Sequence, residues 1–566
     1  MLLAALTLLV AALHLVGLDW QLPHHPQGDE KILWLQVRIA RGEEVSAAEE
    51  LLARCYPSLL GKSADAVVPG ASSDGTRDLD ALRESSTSEL LGIRLLVAIL
   101  SAFIVPATWF LARRIVREQW AFLVAALASI STIAVWYSSM ARPHAVVAVF
   151  TTATVAASLR ARTSGRVSDF LLAGVFAALA VGTLHSGACA CAAVAAAWWW
   201  NARPRFGAPL VGAILAAGLV FVSLFVFLRG KPLPDLTDGR QPGNALLSFF
   251  GMGVHNVDAG FFDGGGFLRF ALAMRDYEPI LATLAVIGLF VVVRAASRGR
   301  NDRARVAVFG TVAAQPLVHF VLFGLYSDSF QRFWFPVIPY LALLGVLGIG
   351  AITAVASARR RPLVRVLFAI PLLVQLGLAV KIVVLRVRDD THELAASWIE
   401  AHPERAPFHV GPTVHLPLLS TDPGHRAEIP AQRMFFVPWT VTTMRVDPKT
   451  RARWGLDLRD PPVRLAKQRE RLTQDSAGWL AELEPGVILL ERFFDGRRMP
   501  FQVLREELLR RGEPIAVFDP IPFDAPAARP IDYMLDGPMA PEAWMAWSLV
   551  WNTRLGPEIE VFPTGN

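Results

Sequence analysis

Charge is scarce in this chain. Lys, Arg, Asp and Glu make up 18% of its 566 residues, against roughly 25% in a soluble globular protein, and the mean hydropathy is +0.41. That balance excludes a disordered chain, a collagen and a small secreted scaffold. Cysteine is also scarce: Cys55, Cys189 and Cys191 are the only three, and they show neither a pairing pattern nor zinc-ligand spacing. No P-loop and no glycine-rich phosphate motif stands in the C-terminal part, and no internal repeat of the kind found in transporters is visible.

What the chain has in abundance is apolar blocks of about 16 to 24 residues, confined to residues 1–387, while residues 388–566 are ordinary in composition. The expected architecture is an all-α polytopic membrane domain over 1–387 followed by a soluble α/β domain over 388–566. Eleven spans are predicted, near 2–18, 91–112, 120–137, 143–159, 168–184, 186–200, 209–228, 278–296, 306–325, 333–355 and 364–387. Each suffices as a helix to cross roughly 30 Å of hydrocarbon, with tilt or thinning for the shorter ones. The alanine-rich block 168–200 reads either as a hairpin around His185-Ser186-Gly187 or as one long buried helix.

Arginine sets the direction. Alternate short loops carry Arg113, Arg114 and Arg117; Arg160, Arg162 and Arg166; Arg203 and Arg205; Arg294 to Arg305; and Arg359, Arg360, Arg361 and Arg365. With eleven spans all five groups fall on one side, which the positive-inside rule makes cytoplasmic. A multi-pass protein of the cell (inner or plasma) membrane follows, with the N-terminus inside and loop 19–90, loop 229–277 and the C-terminal domain outside. The net charge of +6 and the pI near 9.5 come from these loops and do not point to nucleic acid. Residues 1–18 lack the positive start of a signal peptide and read as an uncleaved span.

In the first loop, Asp29 and Glu30 precede a helical pattern from Lys31 to Glu44, expected to lie on the membrane surface. Composition alone makes the acidic pair a helix-capping feature. The stretch 61–88 is rich in Ser, Asp and Gly and reads as a flexible excursion. In the tail, helices are predicted over His392–Ala401, Arg464–Leu483 and Gln502–Arg511, and strands over Phe408–Val410, Gly486–Leu490, Ile515–Phe518 and Ile559–Phe562.

Four segments form an ordered set: Gly28-Asp29-Glu30 with Ile39-Ala40-Arg41-Gly42; Ser138-Ser139-Met140-Ala141-Arg142-Pro143-His144; Gln331-Arg332-Phe333-Trp334-Phe335-Pro336-Val337-Ile338-Pro339; and Asp390 to Ile399. Together they resemble the GT-C glycosyltransferases, specifically the family 39-like, polyprenyl-phosphate-sugar-dependent bacterial branch. The resemblance covers about 19–400. It implies an acidic catalytic pair in the first outer loop and a polyprenyl-phosphate sugar donor, while the acceptor, whether lipid, polysaccharide or protein, is not set by the resemblance. Three positions depart from the pattern: Lys31 follows the acidic pair, His144 stands where many relatives carry Asp, and His185 near where many carry Lys.

Such a transfer needs a carboxylate to take the acceptor's proton and cations to hold the departing lipid phosphate. Asp29 is the first candidate for the base and Glu30 the second. Arg332 and Arg142 are the candidate phosphate holders, the plain alternative being arginines that snorkel to the interface. His144 and His185 are candidates for further hydrogen bonds to phosphate or sugar. His319 reads as a neutral, hydrogen-bonded histidine inside the bundle. His24 and His25 with Asp29 and Glu30 combine imidazole and carboxylate, a donor set open to a divalent cation, but their spacing matches no specific site and no metal or other cofactor is predicted. Trp198-Trp199-Trp200 reads as an interfacial anchor. Two rival readings are a transporter or flippase of lipid-linked sugars and a non-catalytic subunit of a glycan-assembly complex.

Overall fold

The computed structural model describes residues 1–20, 22, 30–43, 45, 50, 53, 56–68, 79–201, 204, 206–228, 246–249, 252–256, 262–297, 303–327, 329–355, 357, 359, 361–405, 408–410, 434–436, 475–483, 485–492, 499–521, 528–531 and 545–564. The helices up to the first hairpin are α1 (Leu2–Leu15), α2 (Glu30–Ala40), α3 (Leu59–Asp65), α4 (Leu79–Ala102), α5 (Ile104–Ala112), α6 (Glu118–Ser129), α7 (Thr132–Tyr137), α8 (His144–Ser164), α9 (Val167–Thr183), α10 (Cys191–Trp199) and α11 (Ala208–Leu228). The hairpin β1 (Leu246–Phe249) and β2 (Met252–Asn256) follows, then α12 (Gly265–Tyr277), α13 (Pro279–Ser297), α14 (Arg303–Leu325), α15 (Ile338–Val355) and α16 (Arg361–Arg386).

Every expected apolar block is helical, but the blocks differ in continuity. Among the described residues six helices are long and apolar enough to cross a membrane, or seven if α12 and the following helix, bent by 119°, are counted as one span. α1 and α9 are shorter apolar helices. Local chemistry explains the breaks. The block 120–137 divides at Ile130-Ser131, where the Ser131 hydroxyl accepts the Ala134 N–H at 3.1 Å and the buried Glu278 carboxylate accepts the Ile133 N–H at 2.7 Å. A carboxylate at the positive end of α7 satisfies donors that a broken helix leaves open. Gln375 of α16 braces the same point, donating to the Thr132 hydroxyl at 3.1 Å.

The alanine-rich block 168–200 folds as the hairpin. Leu184 is extended (φ −154°, ψ 140°), and a 3₁₀ turn over His185–Ala190 leads into α10. Gly187 allows that reversal, because a Cβ there would lie 2.3 Å from the Ala180 carbonyl. Helices α13 and α15 approach as closely at Gly288, where a Cβ would lie 1.8 Å from the Leu344 carbonyl oxygen.

The first loop is more ordered than its composition suggests. The expected surface helix is α2, but Ile32, Leu33, Leu35, Gln36, Val37 and Arg38 are all buried. Gln36 donates to the Ala53 and Tyr56 carbonyls at 2.8 Å each. Protein therefore covers the helix, rather than the membrane surface alone. Within the stretch read as a flexible excursion, Leu60, Gly61 and Ala64 of α3 are buried, and Arg41 joins α2 to Asp65 and Glu89. Residues 69–78 lie outside the described set.

The tail contains α17 (Thr391–Ala401), β3 (Phe408–Val410), β4 (Met434–Phe436), α18 (Ser476–Ala481), β5 (Val487–Glu491), α19 (Met499–Arg511), β6 (Ala516–Phe518), α20 (Met545–Trp551) and β7 (Ile559–Pro563). Residues 464–474 of one predicted helix lie outside the described residues. The sheet order is β4-β3-β5-β7-β6, with β3 parallel to β4 and β5, and β7 antiparallel to β5 and β6. Strand β5 is buried on both faces. Val487 and Leu489 pack with Ala395 and Ile399 of α17, while Ile488 and Leu490 pack with Leu480, Leu504 and Leu508, the alternation that a central strand imposes. Helix α17 opens with a full capping box, Asp390 accepting from the Glu393 N–H and Glu393 from the Asp390 N–H. Met545, Ala546, Leu549 and Leu555 share one apolar core with α16 and the other bundle helices.

Replacing Gly288 with Val should force α13 from α15. Overpacking of this kind costs about 1–3 kcal/mol, and thermal unfolding in detergent should show a lowered midpoint. An unchanged midpoint would mean that the two helices do not approach as closely as described.

Candidate active site

The site is assembled from four chain segments. Glu30 opens α2 and is fully buried. Arg94, in the apolar stretch of α4, meets it as a bidentate fork: Nε donates to Oε1 at 2.8 Å and Nη2 to Oε2 at 2.7 Å. The remaining arm, Nη1, donates to the Leu18 and Trp20 carbonyls at 2.7 and 2.8 Å. Glu30 Oε1 also accepts the Ala141 N–H at 2.7 Å. One ion pair therefore ties the end of the first apolar block, the first loop, α4 and the turn before α8. Planar matching of guanidinium and carboxylate makes this the strong form of a buried pair.

Arg142 follows directly. It is 1% exposed, and its guanidinium lies 6.0 Å from the Tyr137 ring centre. Tyr137 in turn accepts a hydrogen bond from the Gln331 amide. That bond brings in the 3₁₀ turn Gln331–Val337, where Arg332 is 6% exposed and lies over the rings of Phe330 and Phe333, at 4.3 and 5.1 Å. His144, the first residue of α8, stacks on Phe333 with centres 5.4 Å apart and planes at 21°, and meets Tyr56 edge-on at 6.1 Å. His319 Nε2–H donates to the Phe333 carbonyl at 2.7 Å and so fixes the turn.

Two of the predicted residues, His144 and Arg332, share the Phe333 ring, and Arg142 lies near Tyr137, which the Gln331 amide joins to the same turn. Both arginines are enclosed rather than snorkelled. His319 is the buried, hydrogen-bonded histidine expected. His185 is half-buried at the turn after Leu184, and Leu184 packs with Tyr56 and Ile32. Asp29, His24 and His25 lie outside the described residues. Among the described residues no group of three or more His, Cys, Asp or Glu could hold a metal ion.

The sequence motifs do not single out Arg94, Tyr56 or Tyr137, while Gln331 and Phe333 stand in the segment Gln331 to Pro339 without a role of their own. Arg94 carried a signal: an ionisable side chain inside an apolar block is costly and marks a buried partner. The aromatic residues carried none, because rings are common in such blocks.

Residues 86–227 match the family described as dolichyl-phosphate-mannose-protein mannosyltransferase. That stretch includes Arg94, Arg142, His144 and His185. No curated protein matches the chain. Among solved structures, ArnT from Cupriavidus metallidurans in the apo state is similar at 14% identity, with 71% of this chain and 68% of that chain covered and a TM-score of 0.41. The same protein bound to undecaprenyl phosphate aligns over 100% of this chain and 97% of that one, at 12% identity and a TM-score of 0.41. The oligosaccharyltransferase AglB from Archaeoglobus fulgidus, in complex with an inhibitory peptide and a dolichol-phosphate, aligns at 11% identity over 75% of this chain and 60% of that one, with a TM-score of 0.43.

Removing one half of a buried pair strands the other. Arg94→Met should lower stability by about 3–5 kcal/mol, read as a fall in the thermal midpoint. Adding Glu30→Gln to that variant should restore part of the loss, because the stranded charge is gone. If the double variant is no more stable than Arg94→Met alone, the pair is not the tie described.

Proposed function

We propose that the protein is an integral membrane glycosyltransferase that moves a sugar from a polyprenyl-phosphate donor to a lipid, polysaccharide or protein acceptor on the outer face of the membrane. The observation that carries this reading is the burial of Arg142, His144 and Arg332 on two segments joined by the His144–Phe333 stack and the Gln331–Tyr137 hydrogen bond, with the N–H next to Arg142 donating to Glu30. The match of residues 86–227 supports the same reading.

The chemistry assigns each group a task. The acceptor hydroxyl oxygen attacks the anomeric carbon, the bond from that carbon to the phosphate oxygen breaks, and the lipid phosphate leaves with the electron pair. Asp29, the covalent neighbour of Glu30, takes the acceptor's proton. Arg142 and Arg332 hold the phosphate as its charge grows. Enclosure strengthens such contacts, since a low dielectric screens them less than water does. His144 and His185 add hydrogen bonds to phosphate or sugar. Glu30 is assigned a positioning role: both its oxygens accept from Arg94, and its bond to the Ala141 N–H holds the start of α2 beside the turn that carries Arg142.

The architecture in this proposal is eleven crossings over 1–387, with loop 19–90 outside and an extracytoplasmic α/β domain over 388–566. The membrane is the cell's inner or plasma membrane, with the N-terminus cytoplasmic. The arginine bias of five alternate loops supports that direction. One observation favours a second reading, a non-catalytic subunit of a glycan-assembly complex: a histidine, His144, occupies the position where many relatives carry Asp.

Purified protein given a polyprenyl-phosphate sugar should transfer it in a single turnover. Asp29→Asn should keep donor binding and lose about 10²–10⁴-fold in turnover, the usual cost of a lost general base. A wild-type rate from that variant would sink the base assignment, and no transfer by the parent protein would favour the subunit reading. Arg332→Ala should weaken donor handling by about ten- to a hundred-fold, from a lost charge-assisted contact of roughly 1.5–3 kcal/mol. Arg332→Lys should recover only part, because a fork becomes a point charge. Unchanged donor kinetics in Arg332→Ala would leave this arginine structural.

A further inference from the structure

Helix α20 is unusual for a helix in the polar tail. One face, Met545, Ala546 and Leu549, is buried in the core shared with Leu378, Ile382 and Leu385 of α16. The opposite face carries Trp547, 40% exposed, and Val550, 53% exposed. The Trp547 ring meets Trp551 edge-on at 5.4 Å, so the exposed side is aromatic as well as apolar.

What lies beside that face identifies its partner. Helix α16 belongs to a candidate membrane span. Its exposed stripe, Val366, Ile370, Leu373, Val380 and Val387, follows the spacing of a single helical face. Val387 stands just past the end of α16, and α20 packs against α16. On its other side α20 packs against α12, which exposes Phe267 and Leu268. Directly after Val387 the surface turns charged, with Arg388 and Asp389 both exposed: Arg388 donates to the Thr553 carbonyl at 3.0 Å, and Arg554 to the Asp389 carbonyl at 3.5 Å. Apolar side chains, tryptophan and arginine are the residue types that meet hydrocarbon, interface and headgroup phosphate in a bilayer.

We propose that α20 is an interfacial membrane-contact element, with Trp547 and Val550 seated at the boundary of the acyl chains and Arg388 and Arg554 at the headgroups. This contact fixes the tail at the bilayer surface. It adds to the glycosyltransferase reading without depending on it. The helix that carries this face packs against α16 and α12, both of which expose apolar side chains, and that setting favours lipid over a second protein.

Depth-dependent quenching in nanodiscs tests the proposal on the full-length chain, with Cys55, Cys189 and Cys191 replaced by Ala. An environment-sensitive fluorophore is attached through Trp547→Cys, or through Val550→Cys should the first variant misfold, and through Arg510→Cys as the reference on a side chain 69% exposed. The probe at 547 or 550 should emit to the blue of the one at 510. Lipids carrying a nitroxide near the headgroup should quench it severalfold more strongly. Quenching as weak as at 510 would overturn the proposal. So would a blue-shifted probe that lipid nitroxides do not reach, which would mean that protein covers the face.

Discussion

The Arg94–Glu30 pair is the constraint on which the site depends. Two bidentate hydrogen bonds and a third to the Ala141 N–H join segments far apart in sequence. Taking these charges out of water costs several kcal/mol per ion before their attraction is counted. The pair is therefore better understood as a device for specificity than as a source of net stability. It defines where the acidic loop meets the turn that carries Arg142 and His144. Without it, α2 and the start of α8 have apolar packing between them but no fixed register.

A second layer of polar contacts supports that tie. Gln331 reaches Tyr137, and His319 fixes the Phe333 carbonyl. Glu278 and Gln375 hold the start of α7, the short helix that ends at Tyr137. Each is a buried polar side chain on a long apolar helix or at its bend, aimed at a place where the chain departs from helix. The apolar helices act as a frame for these irregular segments, where non-helical backbone is tolerated because protein surrounds it.

Much of this was legible in the sequence, for a physical reason. A run of apolar residues is costly in water wherever it stands, so the apolar helical blocks could be located by composition, as could most strands and helices of the tail, whereas α12 lies inside the segment 229–277 read as a loop. Arg142, His144 and Arg332 were legible because charged and imidazole groups at the ends of apolar blocks are uncommon. Arg94 was passed over because it sits within a block, and its partner Glu30 was read as half of a catalytic pair when its oxygens are taken up by an ion pair. The turn after Leu184 is one of the two readings that the sequence itself offers, whereas the break at Ile130 depends on a contact from a distant segment, Glu278, which no local pattern announces. The same holds for α3, whose small residues look like a loop until Gln36 and its neighbours close over them.

The central claim is that the enclosed arginines recognise a lipid phosphate. The most direct measurement compares binding of a short-chain polyprenyl phosphate with binding of the corresponding polyprenol, to the parent protein and to a variant carrying both Arg142→Gln and Arg332→Gln. The account predicts saturable binding of the phosphate to the parent protein, binding of the alcohol weaker by about ten-fold or more from the lost charge-assisted contacts, and loss of that preference in the double variant. Equal affinity for phosphate and alcohol in the parent protein, or an undiminished preference in a folded double variant, would contradict it.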